Sequence, residues 1–231
     1  TFVAVGNSGT IITSTDGTSW DNRTSGTSKN FKGLTYGNST FVTVGQSGYI
    51  LTSSNGTSWN NKTSGTSNFL YGVTYGNNTF VAVGENGTIL TSTDNGTTWG
   101  SKTSGTTETL YGVTYDNSIF VAKGDSGTIL TSSDGITWDN KTSGTTLNLG
   151  GLTYGNSTFI AVGGDGYDNG TILTSSDGTT WTSRTSGVSI DLQEVTFGNN
   201  TYVAVGDSNR IITSSDGSSW TSRTGTGNLA E

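Results

Sequence analysis

The residues able to do chemistry in this chain are few, and their types narrow the choices quickly. Among its 231 residues there is no His and no Cys, so the common nucleophile–base triads and zinc sites have no ligands or bases to draw on. The remaining candidates are carboxylates. Asp125, Asp165 and Asp207 fall near equivalent positions of a repeated pattern. If they converged they would supply the acid and base of glycoside hydrolysis, but no spacing singles them out, and the site checklist leaves an enzyme as the least favoured reading. One eight-residue stretch, Gly163 to Gly170, offers Asp165, Asp168 and Asn169 in a Gly-rich loop. Such oxygens suit Ca²⁺, which takes about 6–8 oxygen ligands. The spacing is not that of an EF-hand, and a tolerated surface insertion is the favoured account.

These residues sit on a repeat. Copies open near residues 1, 40, 79, 119, 158 and 201, and tryptophans at 20, 59, 99, 138, 181 and 220 keep step. A period near 40 with four short strands per unit is the requirement of a β-propeller blade. The expected fold is therefore all-β, a six-bladed propeller forming one domain over 1–231. Each unit would run A to D: strand A as in Leu70–Tyr75, B as in Thr79–Gly84, C as in Thr88–Thr93 and D as in Thr97–Thr103. Strand B reads Phe-Val-Ala-Val, apolar at every position, as a strand packed on both faces should be. Between C and D stands Asp-Gly at 16–17, 134–135, 177–178 and 216–217, Asn-Gly at 55–56, and Asp94-Asn95-Gly96 in the third copy. Two-residue loops of this kind predict type I′ hairpin turns. Each following Trp is expected to bury its indole over the turn, all six alike. Three residues beyond each Trp lies a cation (Arg23, Lys62, Lys102, Lys141, Arg184, Arg223), which reads as protection of the outer edge.

The motif Gly-x-Ile-x-Thr-Ser-x-Asp-Gly-x-x-Trp, followed by Thr-Ser-Gly-Thr and then Val-Thr-Tyr, resembles the Asp-box, or bacterial neuraminidase, repeat. The likeness covers essentially the whole chain and is greatest to propellers of the photosystem II stability and assembly factor type. It implies a structural turn built by Asp16 and Trp20, Asn55 and Trp59, Asp94 and Trp99, Asp134 and Trp138, Asp177 and Trp181, and Asp216 and Trp220. Only the third copy keeps the full Ser-x-Asp-x-Gly-x-Thr-Trp spacing. A sialidase site would need several convergent arginines. Of the four present, Arg23, Arg184 and Arg223 occupy the repeat's edge position, and Arg210 alone cannot form that clamp. A shared fold carries no function by itself.

Function is then sought where the copies differ. The differences collect in the B–C and D–A connections, which in a propeller emerge at one end of the sheets, and variation on one face of a rigid scaffold is how binding surfaces are made. The candidate ligand-binding residues are Lys29, Phe31, Lys32, Tyr71, Tyr111, Lys123, Asp125, Asp207 and Arg210. The expected role is a non-catalytic extracellular or cell-surface scaffold for a protein or glycan partner. A building block of a surface layer, stalk or filament, formed by self-assembly, is the alternative.

With a net charge of −7 and ten cations, a nucleic-acid partner is not expected, and no apolar run reaches the ~18 residues of a membrane span. Sequons at Asn22, Asn38, Asn55, Asn61, Asn77, Asn86, Asn95, Asn140, Asn156, Asn169 and Asn199 fit glycosylation in a secreted setting. A chain without Met is expected to be a processed or excerpted piece. Counting strands leaves the first copy without strand A, so the parent chain is expected to continue past Glu231 into a segment resembling Gly-Val-Thr-Tyr-Gly-Asn.

Overall fold

The computed structural model describes residues 1–167 and 170–224. Its strands fall into six antiparallel sheets, each in chain order. The first contains β1 (Phe2–Val5), β2 (Ile11–Ser14) and β3 (Asp21–Arg23). The second contains β4 (Phe31–Gly37), β5 (Thr40–Gly45), β6 (Ile50–Ser53) and β7 (Asn60–Lys62). The third contains β8 (Leu70–Gly76), β9 (Thr79–Gly84), β10 (Ile89–Ser92) and β11 (Gly100–Lys102). The fourth contains β12 (Leu110–Asp116), β13 (Ile119–Gly124), β14 (Ile129–Ser132) and β15 (Asp139–Lys141). The fifth contains β16 (Asn148–Gly155), β17 (Thr158–Gly164), β18 (Thr171–Ser175) and β19 (Thr182–Arg184). The sixth contains β20 (Leu192–Gly198), β21 (Thr201–Gly206), β22 (Arg210–Ser214) and β23 (Thr221–Thr224). Two compact units divide the chain: Thr1–Phe120 with Ser132–Asp139, and Val121–Thr131 with Asn140–Glu231.

In the first unit, β9 is buried along its whole length, as an apolar strand covered on both faces must be. Val42, Val44, Leu70, Phe80 and Leu90 share one core, with Tyr75 and Trp99 packed against it. The second unit repeats the arrangement with Ile160, Val162, Leu192, Tyr202 and Ile212. The A and B strands are joined by two-residue turns. Asn38-Ser39, Asn77-Asn78, Asn117-Ser118, Asn156-Ser157 and Asn199-Asn200 all have positive φ at both positions, the type I′ conformation that Asn tolerates.

The I′ turns therefore lie between A and B, and not between C and D as the Asp-Gly pairs suggest. The last ladder pair of the first C–D hairpin is Thr13↔Asp21, so seven residues, 14–20, form the connection. Only its Gly17 has positive φ. Side chains set this wider turn. Asp16 Oδ1 accepts from Thr18 N (2.8 Å) and Ser19 N (2.9 Å), while Ser14 Oγ accepts from Gly17 N (2.7 Å). Asn55, Asp134, Asp177 and Asp216 repeat the pattern. In the longer third copy Asp94 accepts from Thr98 N and Thr98 Oγ1. Backbone N–H and hydroxyl donors of the turn hold Asp16, Asp94, Asp134, Asp177 and Asp216 below the ordinary carboxylate range, Asp94 at about 2. Strand D is accordingly shorter than Thr97–Thr103.

All six indoles donate Nε1–H to the turn glycine three residues back, yet they are not equivalent. Trp138 is 8% exposed and Trp20 is 42% exposed. Five of them pair with the aromatic residue of strand B at 6.2–6.4 Å. Trp20 lacks such a pair among the described residues, because Phe2 is itself 55% exposed. At the sheet edges Arg23, Arg184 and Arg223 each donate Nε–H to a Thr hydroxyl of strand C.

Candidate functional site

The variable side chains of strand A are displayed by a register shift. In the second sheet Phe31 pairs with Gly45 and Gly33 with Val44, leaving Lys32 as the extra residue of a β-bulge. The same shift isolates Tyr71 in the third sheet, Gly150 in the fifth and Gln193 in the sixth. A bulge re-aims one side chain and leaves its backbone outside the ladder. The residue before it faces inward: Phe31, Leu70, Leu149 and Leu192 are 0–1% exposed. Phe31 therefore does not belong with the ligand-binding candidates. Its ring fills a core with Ile11 and Leu51, and the displayed residue is Lys32 beside it.

The backbone around the bulges is tied down by main-chain groups. In the first unit Gly9 N and Gly87 N donate to Lys29 O and Glu108 O, both at 2.9 Å, and Gln46 N and Glu85 N donate to Asn30 O and Phe69 O. The D–A segment before β4 is thus clasped by the B–C turns of two successive sheets. The clasp requires glycine: a Cβ on Gly9 would lie 1.9 Å from Thr27 O, at a φ of +74°.

On this clasp the first unit carries an aromatic step. Phe69 and Tyr71 stack at 4.7 Å with their planes 9° apart, and Tyr71 meets Tyr111 edge-on at 5.6 Å. Glu85 lies against the stack, accepting from Phe69 N at 2.8 Å and from Tyr71 OH at 3.4 Å. Tyr111 is 36% exposed. Lys29 is half-buried and Lys32 exposed on the preceding segment. Phe69 is the member that pattern reading leaves out of the candidates.

The second unit holds the acidic candidates. Asp191 is 8% exposed, and its Oδ2 accepts from Gly166 N at 3.0 Å. Its Oδ1 is buried without a hydrogen-bond partner. Burial pushes its carboxyl above the ordinary range, and Asp207 and Asp165 push it the same way. Asn30 and Asn148 do the corresponding work elsewhere, accepting from Ser8 N and Ser126 N. Asp207 accepts from Gln193 Nε2 at 3.2 Å, and Asp165 from Tyr167 N at 3.0 Å. Arg210 is exposed and Asp125 half-buried.

Lys123 is only 6% exposed. Burial pushes its ammonium down to about 8, with Glu194 drawing it partly back, so it is part of the interior and not of a binding face. The calcium candidates Asp168 and Asn169 lie outside the described residues. Among the described residues no three acidic side chains are arranged to hold a metal ion.

Two polar clefts of about 680 Å³ follow the repeat, one beside Lys102 and one beside Lys141. Their linings correspond residue by residue, which makes them features of the repeat, not of one ligand.

Six antiparallel sheets with this order and these turns define a six-bladed β-propeller. Among solved structures the chain is similar to YCF48 bound to D1 peptide, at 17% identity and a TM-score of 0.72, covering 95% of this chain and 76% of that one. YCF48, a photosystem II assembly factor, is matched again in the protein from Cyanidioschyzon merolae, at 16% identity, TM-score 0.70, and 96% and 80% coverage. The computationally designed Ika8 protein is similar at 14% identity and TM-score 0.71, covering 93% of this chain and 68% of that one. No protein-family model and no curated protein sequence matches the chain.

Proposed function

We propose that this chain is a non-catalytic binding scaffold whose partner is a protein, gripped by the D–A and B–C connections. The carrying observation is the step Phe69–Tyr71–Tyr111 with Glu85 at its side. Rigid aromatics offer a large contact area at low entropic cost, and with charged neighbours they are the usual anchors of a protein interface. That YCF48 has been seen with a D1 peptide supports the peptide reading for a propeller of this kind. An extracellular or cell-surface setting is part of the proposal, supported by exposed sequon asparagines at 22, 61 and 140 on the outer strands.

The test is selection of random displayed peptides on the intact chain, with a glycan array run in parallel. Selected peptides should lose at least about 30-fold in affinity on Tyr71→Ser/Tyr111→Ser, the loss of a hot spot of about 2 kcal/mol. Peptide binding indifferent to both changes, or saturable binding of a sugar only, would overturn the reading.

A further inference from the structure

We infer that the Phe69–Tyr71–Tyr111 step is a receptor for an arginine side chain of the partner polypeptide, with Glu85 taking its guanidinium. This rests on the peptide-binding reading above and adds to it the chemistry of the residue recognised.

Phe69 is out of place as a structural residue. It stands where Asn30 and Asn148 stand in other D–A segments, and there the side-chain oxygen accepts from a B–C turn, from Ser8 N at 2.8 Å and from Ser126 N at 3.0 Å. A phenyl ring has no acceptor to offer in that place. The segment before β8 thus gives up a turn-capping bond and gains a ring stacked on Tyr71 at 4.7 Å.

The charge of Glu85 is likewise surplus to the fold. Its Oε2 accepts from Phe69 N at 2.8 Å, but in the preceding sheet Gln46 Oε1 accepts from Asn30 N at 3.3 Å. The two residues also donate their own N–H alike, Gln46 to Asn30 O and Glu85 to Phe69 O. A neutral amide therefore suffices for this position. Among the described residues no cation pairs with Glu85. Its other oxygen accepts from the Tyr71 hydroxyl at 3.4 Å, and a carboxylate with about four lone-pair sites keeps capacity for further donors.

The arrangement favours a guanidinium. A planar cation can lie on a ring face and still direct two N–H groups at a carboxylate, whereas an ammonium is a strongly hydrated point charge. Here the carboxylate sits at the hydroxyl end of the stack. Tyr111, edge-on to Tyr71 at 5.6 Å, is 36% exposed and leaves ring surface open to a ligand.

Lys32 on the adjoining bulge does not reverse the preference. A Cβ on Gly33 would lie 3.0 Å from Tyr71 O, so the two strands are neighbours, but Lys32 is exposed and its ammonium is screened by water and salt. Glu85 is half-buried against the rings, where a charge acts more strongly. Glu108, half-buried on the segment that carries Tyr111, adds a second carboxylate. A second copy is a poor source of the arginine, since Arg23, Arg184 and Arg223 are each tied through Nε–H to a threonine.

The probe is an array of short random synthetic peptides whose central residue is arginine, lysine or citrulline, a neutral urea of the same shape, read with the full chain. Binders should concentrate in the arginine set. Titrated singly, they should lose at least about tenfold in affinity with citrulline, which removes both the pairing and the cation–π contact, and less with lysine. Glu85→Gln should leave the thermal melt unchanged, as Gln46 shows for an amide in that place, and should shrink the arginine-over-citrulline ratio below about threefold. The citrulline comparison needs no variant of the chain, so it stands even if Glu85→Gln folds poorly. Peptides that weaken on Tyr71→Ser yet show no arginine preference, or a ratio untouched by Glu85→Gln, would overturn this inference and leave the scaffold reading standing. Binding indifferent to Tyr71→Ser would overturn both. Self-association of the chain abolished by Arg210→Gln would assign the site to a second copy and overturn the inference as well.

Discussion

Replacing Asp191 by Asn should stabilise the protein, and the gain should depend on pH. Asn30 and Asn148 already do this job with an amide: the oxygen accepts from the preceding B–C turn. An amide at 191 would keep the bond to Gly166 N and replace a partnerless buried oxygen with an N–H₂ near Asp165 and Asp207. Leaving a buried acceptor unsatisfied costs about 1–3 kcal/mol.

Burial raises the Asp191 carboxyl in the folded chain, so the folded form holds its proton more tightly than the unfolded form, whose value is near 3.9. Wild-type stability from this group is therefore intact below about pH 4 and is lost as pH climbs through the raised folded value. The advantage of Asn should be about 1–3 kcal/mol at pH 7.5, or roughly 2–12 °C in melting temperature for a chain of this size, and should shrink toward zero near pH 4. Urea denaturation of both proteins at the two pH values measures it. Equal gains at both pH values, or a loss at pH 7.5, would refute the reasoning. A loss seen only with Ca²⁺ present would assign the carboxylate to a metal instead.

Trp99→Ala should cost about 3–5 kcal/mol, as buried aromatic truncations do, while Trp20→Ala should cost less, about 2 kcal/mol, since that indole is 42% exposed and less apolar surface is lost from the core. Chemical denaturation of the two variants compares them. Lys123→Val should raise stability at pH 7 by about 3 kcal/mol. The folded ammonium is held down to about 8 by burial, so the wild-type deficit is full below that value and fades as pH rises toward 10.4, and a thermal-melt series from pH 7 to 10 should show the two curves converging. The turn carboxylates work in the opposite sense. Asp16, Asp94, Asp134, Asp177 and Asp216 sit below the ordinary range, so their contribution is present above about pH 4 and is lost as pH falls through the depressed values. Asp177→Asn should flatten that acid limb with little change at pH 7, because Asn55 accepts the same two backbone N–H groups without a charge.

The repeat, the strand order and the apolar B strands were legible because each rests on periodicity, which one chain displays six times. The hairpin chemistry is hidden by look-alike pairs. Asp-Gly looks like a two-residue turn until Ser14 and Asp16 are seen to cap a seven-residue connection, while the Asn-Ser and Asn-Asn pairs that do form I′ turns lack the glycine usually sought. The burial of Phe31 is not legible, because a one-residue bulge reverses which side chain faces out and no composition signal marks it. Asp191 is not marked by the pattern, since its role depends on Gly166 of the preceding B–C connection and on the charge of Asp207 in the following one. Its replacement of the Asn at 30 and 148 was the available clue.

The clasp on the D–A segments is made of peptide N–H and carbonyl groups together with single polar side chains such as Asn30, Asn148, Asp191 and Glu85, with glycine in the B–C turn. Side-chain identity at the bulge is thereby released from folding duty at Lys32, Tyr71 and Gln193, though not at Gly150, where a Cβ would lie 2.7 Å from Gln193 O. Such positions can be randomised together as a combinatorial library with no accompanying change in the framework. Selection for new recognition would then act on displayed chemistry alone, much as it does on the hypervariable loops of an antibody domain.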